Sequence, residues 1–170
     1  MSLSGNVLLI DARLNCVAVF RSDGTEVRRW GSSGNAAGQF SHGPIGICVT
    51  TTDLVFVSDW GRVQLFRLSD GSFVRQFGST LSGNGQLISP RPVGLSRNER
   101  QLFVFDKLRD RVSVWSTEGQ FVRQWQPDFT GRTGVHDPRL VVSLADEVLI
   151  SDGDAHRVLC FDQRGVLLRS

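Results

Sequence analysis

The sequence predicts an all-β chain, a radial or stacked array of one repeated unit of short strands. Two observations carry this. The first is one phrase written four times: Val17–Phe20 with Gly24 and Val27–Trp30, Val63–Phe66 with Gly71 and Val74–Phe77, Val112–Trp115 with Gly119 and Val122–Trp125, and Val158–Phe161 with Gly165 and Leu168–Arg169. The aromatic closing the first half recurs at Phe20, Phe66, Trp115 and Phe161, in steps of 46, 49 and 46 residues. A period of this size built from strands and turns marks a propeller blade or a solenoid coil rather than one irregular domain. The second observation is that no stretch shows helical periodicity.

The elements follow in order. Asn6–Ile10 matches the second strand of the unit, so the first copy starts late and has three strands. The second copy is complete, with strands over 44–49, 54–58, 62–66 and 73–77. The third runs through 92–95, 102–105, 112–115 and 121–125, and the fourth through 139–142, 148–151, 158–161 and 166–168. Val, Ile, Phe and Trp dominate these runs, and turn residues separate them. Third and fourth strands alternate apolar and polar residues, as half-buried strands do. Asp23-Gly24, Asp70-Gly71 and Glu118-Gly119 supply the hairpin turns between them, with glycine taking the positive φ. The repeats span about 6–31, 44–78, 92–125 and 138–169 of a single segment over 1–170.

An aspartate ends each second strand: Asp11, Asp59, Asp106 and Asp152. A carboxylate ring for a cation is one reading. The favoured one is a turn aspartate accepting backbone N–H groups, repeated because the turn repeats. The long loops 31–43, 78–91 and 126–137 differ from one another, and loops on one face of an array carry binding specificity.

Composition bounds the class. The chain has 170 residues, of which 40% are hydrophobic and 21% charged, enough for a sizeable core and against disorder. A net charge of +2 does not imply a strongly basic nucleic-acid module. Lys107 is the only lysine, and tyrosine is absent. Cys16, Cys48 and Cys160 form no CxxC pair, so neither a zinc site nor a redox pair is suggested. No signal peptide or membrane-length apolar run is visible, which points to a cytoplasmic protein.

The repeats resemble the NHL-repeat family of β-propellers. The residues that match are a Pro-x-Gly-Ile/Leu start at Pro44 and Pro92, a hydrophobic strand ending in Asp, the Arg-Val steps Arg62-Val63, Arg111-Val112 and Arg157-Val158, and a Gly-x-Phe-Val-Arg finish. Gly34-x-x-x-Gly38-Gln39-Phe40 is similar to the family's inter-repeat loop. The second copy departs by its short turn between Asp59 and Arg62, and the fourth by Arg139-Leu140 in place of Pro-x-Gly. The resemblance implies a propeller of NHL-type four-stranded blades. Four repeats make an incomplete ring, to be completed by the remainder of a longer propeller or by a second copy as a homodimer.

On function, the resemblance implies first a non-enzymatic scaffold that presents a loop face to a protein partner. Some family members bind single-stranded RNA on that face, which is the alternative. Here it carries Trp60, Arg62, Arg91, Lys107, Arg109, Arg111, Arg132, His136 and Arg157. Arginines interleaved with aromatics suit stacking and phosphate contact, although nearby aspartates blunt the field. Some NHL-like propellers are zinc lyases, the third alternative. His42 and His136 share a repeat position and are the weak metal candidates, but the intervening copy has Pro90 there, so a three-ligand site is not evident. No nucleophile–base pair, P-loop or cofactor motif is found. Trp30, Trp115 and Trp125 read as inter-blade core. Trp60 has no counterpart and lies in the shortened turn; of the four it is the one to contact a partner, with packing against the neighbouring blade an equal alternative.

Overall fold

The computed structural model describes residues 5–78, 83–129 and 137–170. The candidate residues Arg132 and His136 lie outside them. Among the described residues fifteen strands pair into four antiparallel sheets. The first has three strands, β1 (Val7–Asp11), β2 (Cys16–Phe20) and β3 (Glu26–Trp30). The second has β4 (Gly46–Val49), β5 (Leu54–Asp59), β6 (Arg62–Arg67) and β7 (Phe73–Phe77). The third has β8 (Pro90–Leu95), β9 (Gln101–Asp106), β10 (Arg111–Ser116) and β11 (Phe121–Trp125). The fourth has β12 (Leu140–Val142), β13 (Val148–Asp152), β14 (Arg157–Phe161) and β15 (Leu167–Arg169). In every sheet the strands pair in chain order, the up-and-down meander of a propeller blade.

Every third-to-fourth strand hairpin carries a register shift just before its apolar closing position, at Phe20, Phe66, Trp115 and Phe161. A bulge adds local twist there, and the repetition shows that the four copies are one unit. Lys107–Arg109 forms one 3-10 turn, closed by Asp110 in the left-handed region at φ 45°. Periodicity cannot announce three residues. The second sheet has only Trp60-Gly61 at the same place, which is the shortened turn seen in the sequence.

The core lies between sheets, because a blade buries both faces only against its neighbours. One cluster joins the first and second sheets through Val17, Trp30, Val55, Val57 and Phe66. A second joins the next pair through Phe56, Val63, Phe77, Val104 and Trp115. A third joins the last pair through Phe103, Phe105, Val112, Trp125, Ile150 and Phe161. We call the face each sheet turns to its predecessor its leading face, and the other its trailing face. The inner strands converge on an apolar hollow of about 780 Å³.

The fourth-strand arginines latch these joints. Arg28 Nη1 donates to the Leu68 carbonyl of the next sheet at 2.8 Å, Arg75 Nη2 to that of Thr117 at 2.8 Å, and Arg123 Nη2 to that of Gln163 at 2.7 Å. Each acceptor lies two residues after the closing aromatic of its third strand. The sequence suggests only surface residues here, because a partner one blade away is invisible to local pattern.

Candidate functional site

The turns after the second strands and the long inter-sheet loops share one mouth of the array. The strand-ending aspartates organise it. Asp11 Oδ1 accepts the Arg13 and Leu14 N–H groups. Asp59 accepts from Trp60 N and Ser41 N. Asp106 accepts from Ile88 N and Ser89 N at 2.9 Å each. Asp152 accepts from Ala155 N and from Arg157 Nε at 3.1 Å. Asp11 and Asp152 therefore cap the following turn, Asp106 tethers an inter-sheet loop, and Asp59 does both. Among the described residues, no group of three or more His, Cys, Asp or Glu is placed to hold a metal ion.

Two clefts open at equivalent repeat positions. The first, of about 450 Å³, is lined by His42, Trp60, Arg62, Gln76 and Phe77, with Asn35 at its edge. Trp60 stands 42% exposed at its rim and packs at a tilt of 36° against His42, with ring centroids 5.0 Å apart. Its floor is rigid. Arg62 donates from Nε and Nη2 to Asp59 Oδ2 at 3.1 and 3.0 Å, from Nη1 to Asn35 O and Gln76 Oε1, and from Nη2 to Gln39 O. All five donors of the guanidinium are thus used inside the chain. Gln64 is fully buried below, accepting from Gly38 N and donating to Gln39 O. Arg62 and Gln64 together clamp the Gly31–Gly43 loop that holds His42.

The second cleft, of about 460 Å³, is lined by Arg109, Arg111, Gln124, Trp125 and Gln126. Arg111, Gln124 and Trp125 repeat the places of Arg62, Gln76 and Phe77. The charge balance differs. Asp59 neutralises Arg62 at contact, whereas Asp106 uses its oxygens on backbone N–H groups. Arg109 and Arg111 converge instead on Gln86, one on its side-chain oxygen and one on its carbonyl. Burial and the neighbouring Arg109 charge draw Arg111 below its ordinary value, against the pull of Asp106. The Nε groups of both arginines are buried with no hydrogen-bond partner among the described residues. The second cleft is therefore a cationic pocket beside the Trp125 ring.

The other candidates are dispersed. Lys107 is half-buried in the 3-10 turn, its N–H donating to Ser89 O. Arg91 is half-buried at the start of β8, where its carbonyl accepts from Ser58 Oγ. Arg157 pairs with Asp152. Trp60, His42 and Arg62 are brought together, as are Arg109 and Arg111. The sequence gives Gln64 no role, and it places Gln86 only in Gly83-Asn-Gly85-Gln86-Leu87, an echo of the Gly38-Gln39-Phe40 loop, without a part in the site. The three cysteines are free. Burial, reinforced by the Glu99 charge, pushes the Cys48 thiol well up. No helix among the described residues is long and apolar enough to cross a membrane.

No family model matches the chain. It is 29% identical to the protein brain tumor of Drosophila melanogaster over 144 residues, 82% of this chain and 13% of that protein. Among solved structures, a catalytically inactive virginiamycin B lyase of Staphylococcus aureus in complex with quinupristin superposes with a TM-score of 0.70 at 12% identity, over 98% of this chain and 52% of that one. A protein of unknown function from Bacteroides caccae superposes with a TM-score of 0.66 at 12% identity, over 99% and 57%. At such identities the structural likeness concerns the fold, which is all-β and propeller-type. The chain spans little more than half of these solved structures and about an eighth of the curated relative. The repeat pattern and these likenesses together support a β-propeller of NHL type.

Proposed function

We propose that this chain is part of an NHL-repeat propeller acting as a non-enzymatic, cytoplasmic scaffold, with the loop face docking a protein partner. The observation that carries this reading is Trp60. A large aromatic stands 42% exposed over a cleft whose walls are fixed by a buried ion pair and a buried glutamine. Exposed tryptophan on a preorganised surface is the kind of residue that dominates interface energetics, because little ordering is needed on binding. The similarity to the protein brain tumor supports the scaffold reading. The fold likeness to a lyase concerns architecture, and the reading invokes no cofactor.

The test is a comparison of purified chains. Partners retained by the wild type in the presence of ribonuclease are lost from Trp60→Ala and kept by the double variant Arg109→Glu, Arg111→Glu. Partners indifferent to Trp60→Ala would overturn the assignment of the cleft.

One observation favours RNA as a second reading. Among the described residues no carboxylate pairs with Arg109 or Arg111, and the Trp125 ring lies beside them, which suits a phosphate with a neighbouring base. Binding of a single-stranded RNA pool then weakens with salt. The double reversal at Arg109 and Arg111 lowers the magnitude of the log–log slope by about 1.4, for two contacts at ~0.7 each. Salt-independent retention, or a slope unchanged by the reversal, would dismiss RNA at this cleft.

A further inference from the structure

The two clefts of the loop face differ in what they leave free. In the first, Arg62 is the one permanently charged group among the described lining residues, and its donors are spent on Asp59, Asn35, Gln39 and Gln76. A guanidinium only donates, so the Gln76 amide is held by its oxygen and its NH2 end is left over. Among the described residues neither Gln76 Nε2 nor the indole N–H of the exposed Trp60 has a hydrogen-bond partner. The cleft thus combines the rings of Trp60, His42 and Phe77 with free N–H donors and no unpaired permanent charge.

The acceptors around it are spent. The Asn35 and Gln39 carbonyls and Gln76 Oε1 take Arg62, and Asp59 takes Arg62, Ser41 N and Trp60 N. The Asn35 side-chain amide at the edge offers a donor and an acceptor alike. A segment rich in backbone N–H groups would lose more hydrogen bonds to water here than it regains. A charged side chain would meet no free counter-charge. A proline tract has the complementary supply, with carbonyl acceptors and no N–H. Its polyproline II helix has no internal hydrogen bonds, so every carbonyl is available, and its fixed φ reduces the ordering cost of binding. Aromatic-lined grooves take such segments for these reasons.

We propose that the first cleft holds an uncharged, proline-rich segment of the partner in the polyproline II conformation. Pyrrolidine rings pack on Trp60 and His42, and the Trp60 indole N–H and Gln76 Nε2 donate to the segment's carbonyls. The inference rests on the docking reading of this cleft and names the chemistry of its occupant. A volume of about 450 Å³ lies in the range of ligand clefts, about 300–1,000 Å³, and takes a few residues of the segment.

The probe is a dye-labelled oligoproline of about nine residues, three turns of the helix, titrated with the 170-residue chain and read by fluorescence anisotropy. It binds with a dissociation constant below about 1 mM, and a glycine–serine peptide of the same length does not. Trp60→Ala weakens binding at least about tenfold, as loss of an aromatic anchor does. Gln76→Glu keeps an oxygen for Arg62 and replaces the donating NH2 by an acceptor. It weakens binding about fivefold, the loss of one hydrogen bond, with the circular dichroism spectrum and thermal midpoint retained. A Gln76 with only a structural role would leave binding unchanged. The double variant Arg109→Glu, Arg111→Glu binds like the wild type. No binding up to about 1 mM, equal binding of the glycine–serine peptide, or binding indifferent to Trp60→Ala or Gln76→Glu would overturn the inference. If the oligoproline fails while protein partners are still lost from Trp60→Ala, this inference falls and the docking reading stands. If those partners are indifferent to Trp60→Ala as well, both fall.

Discussion

Arg62 and Asp59 form a buried ion pair at the mouth of the second sheet, Nη2 to Oδ2 at 3.0 Å, with the aspartate side chain fully shielded and the arginine 11% exposed. The pair joins a turn to a loop. Removing one partner leaves the other buried without its counter-charge, which costs more than the pair contributes as a unit. Asp59→Ala is expected to lower unfolding stability by about 3–5 kcal/mol, read from urea denaturation. Asp152→Ala, whose partner Arg157 is 26% exposed, costs less. Equal losses would show that the second-sheet pair is not shielded as described.

Arg123 makes the most extensive inter-blade latch, reaching the Gln163 carbonyl from Nε and Nη2 and Gln101 Oε1 from Nη2. Burial draws it below its ordinary value. Arg123→Met keeps the aliphatic stem and removes the donors. It is expected to cost about 1–2 kcal/mol, a charged hydrogen bond discounted for partial exposure. Amide exchange should rise in the β14–β15 hairpin and stay unchanged in β1 and β2. A uniform rise across the chain would mean that the arginine supports global stability rather than this joint.

Acid should loosen the hairpins. The Thr25 N–H holds the Asp23 carboxyl below its ordinary 3.8, and Ser72 does the same for Asp70. Arg29 lowers Glu26, Ser116 lowers Glu118 and Arg169 lowers Glu147 from the ordinary 4.5. The folded chain thus binds fewer protons than the unfolded one in this range. The stabilisation is fully present above the ordinary values and is lost as pH falls through the lowered ones. All five groups are close to solvent, so the effect is small for each and weakens with salt. The urea midpoint is expected to fall steadily below pH about 4.5 and to fall less steeply in Glu147→Gln. A midpoint flat down to the lowest pH would remove these carboxylates from the stability balance.

The repeat unit, its turns and its fifteen strands were legible because each carries a local signature: alternation, a turn glycine or an aspartate at a strand end. The inter-blade role of Trp30, Trp115 and Trp125 was legible because Phe77, Phe66 and Phe20 stand at equivalent places. For Trp60, which has no equivalent, the sequence left partner contact and packing on the next blade open, and only the structure places it 42% exposed. What stayed hidden depends on contacts across blades. Arg28, Arg75 and Arg123 find carbonyls forty or so residues away, and no spacing rule encodes that. Arg62 and Arg111 both open a third strand before a valine, yet among the described residues Asp59 pairs with Arg62 while no carboxylate pairs with Arg111, because Asp106 directs its oxygens to the Ile88 and Ser89 N–H groups. The sequence groups them as one basic face, and the structure divides them into a structural clamp and a cationic pocket.

The hairpin glycines give the clearest separation of backbone from packing. Gly24 and Gly165 occupy the same turn position at φ +85° and +91°, where an L side chain is strained. Nothing lies within 4 Å of a Cβ built on Gly24, whereas one built on Gly165 would stand 2.4 Å from the Trp125 ring. Gly24→Ala in dilute solution therefore carries the backbone term alone, about 1–2 kcal/mol. Gly165→Ala adds the displacement of a ring packed 4.9 Å from Phe161, an overpacking term of about 1–3 kcal/mol. Urea denaturation of the two variants yields the difference directly, and tryptophan fluorescence should shift only in Gly165→Ala. If the two losses are equal and the emission is unchanged, Trp125 is not held against the hairpin of the next blade, and the inter-blade joint described for the third and fourth sheets is wrong.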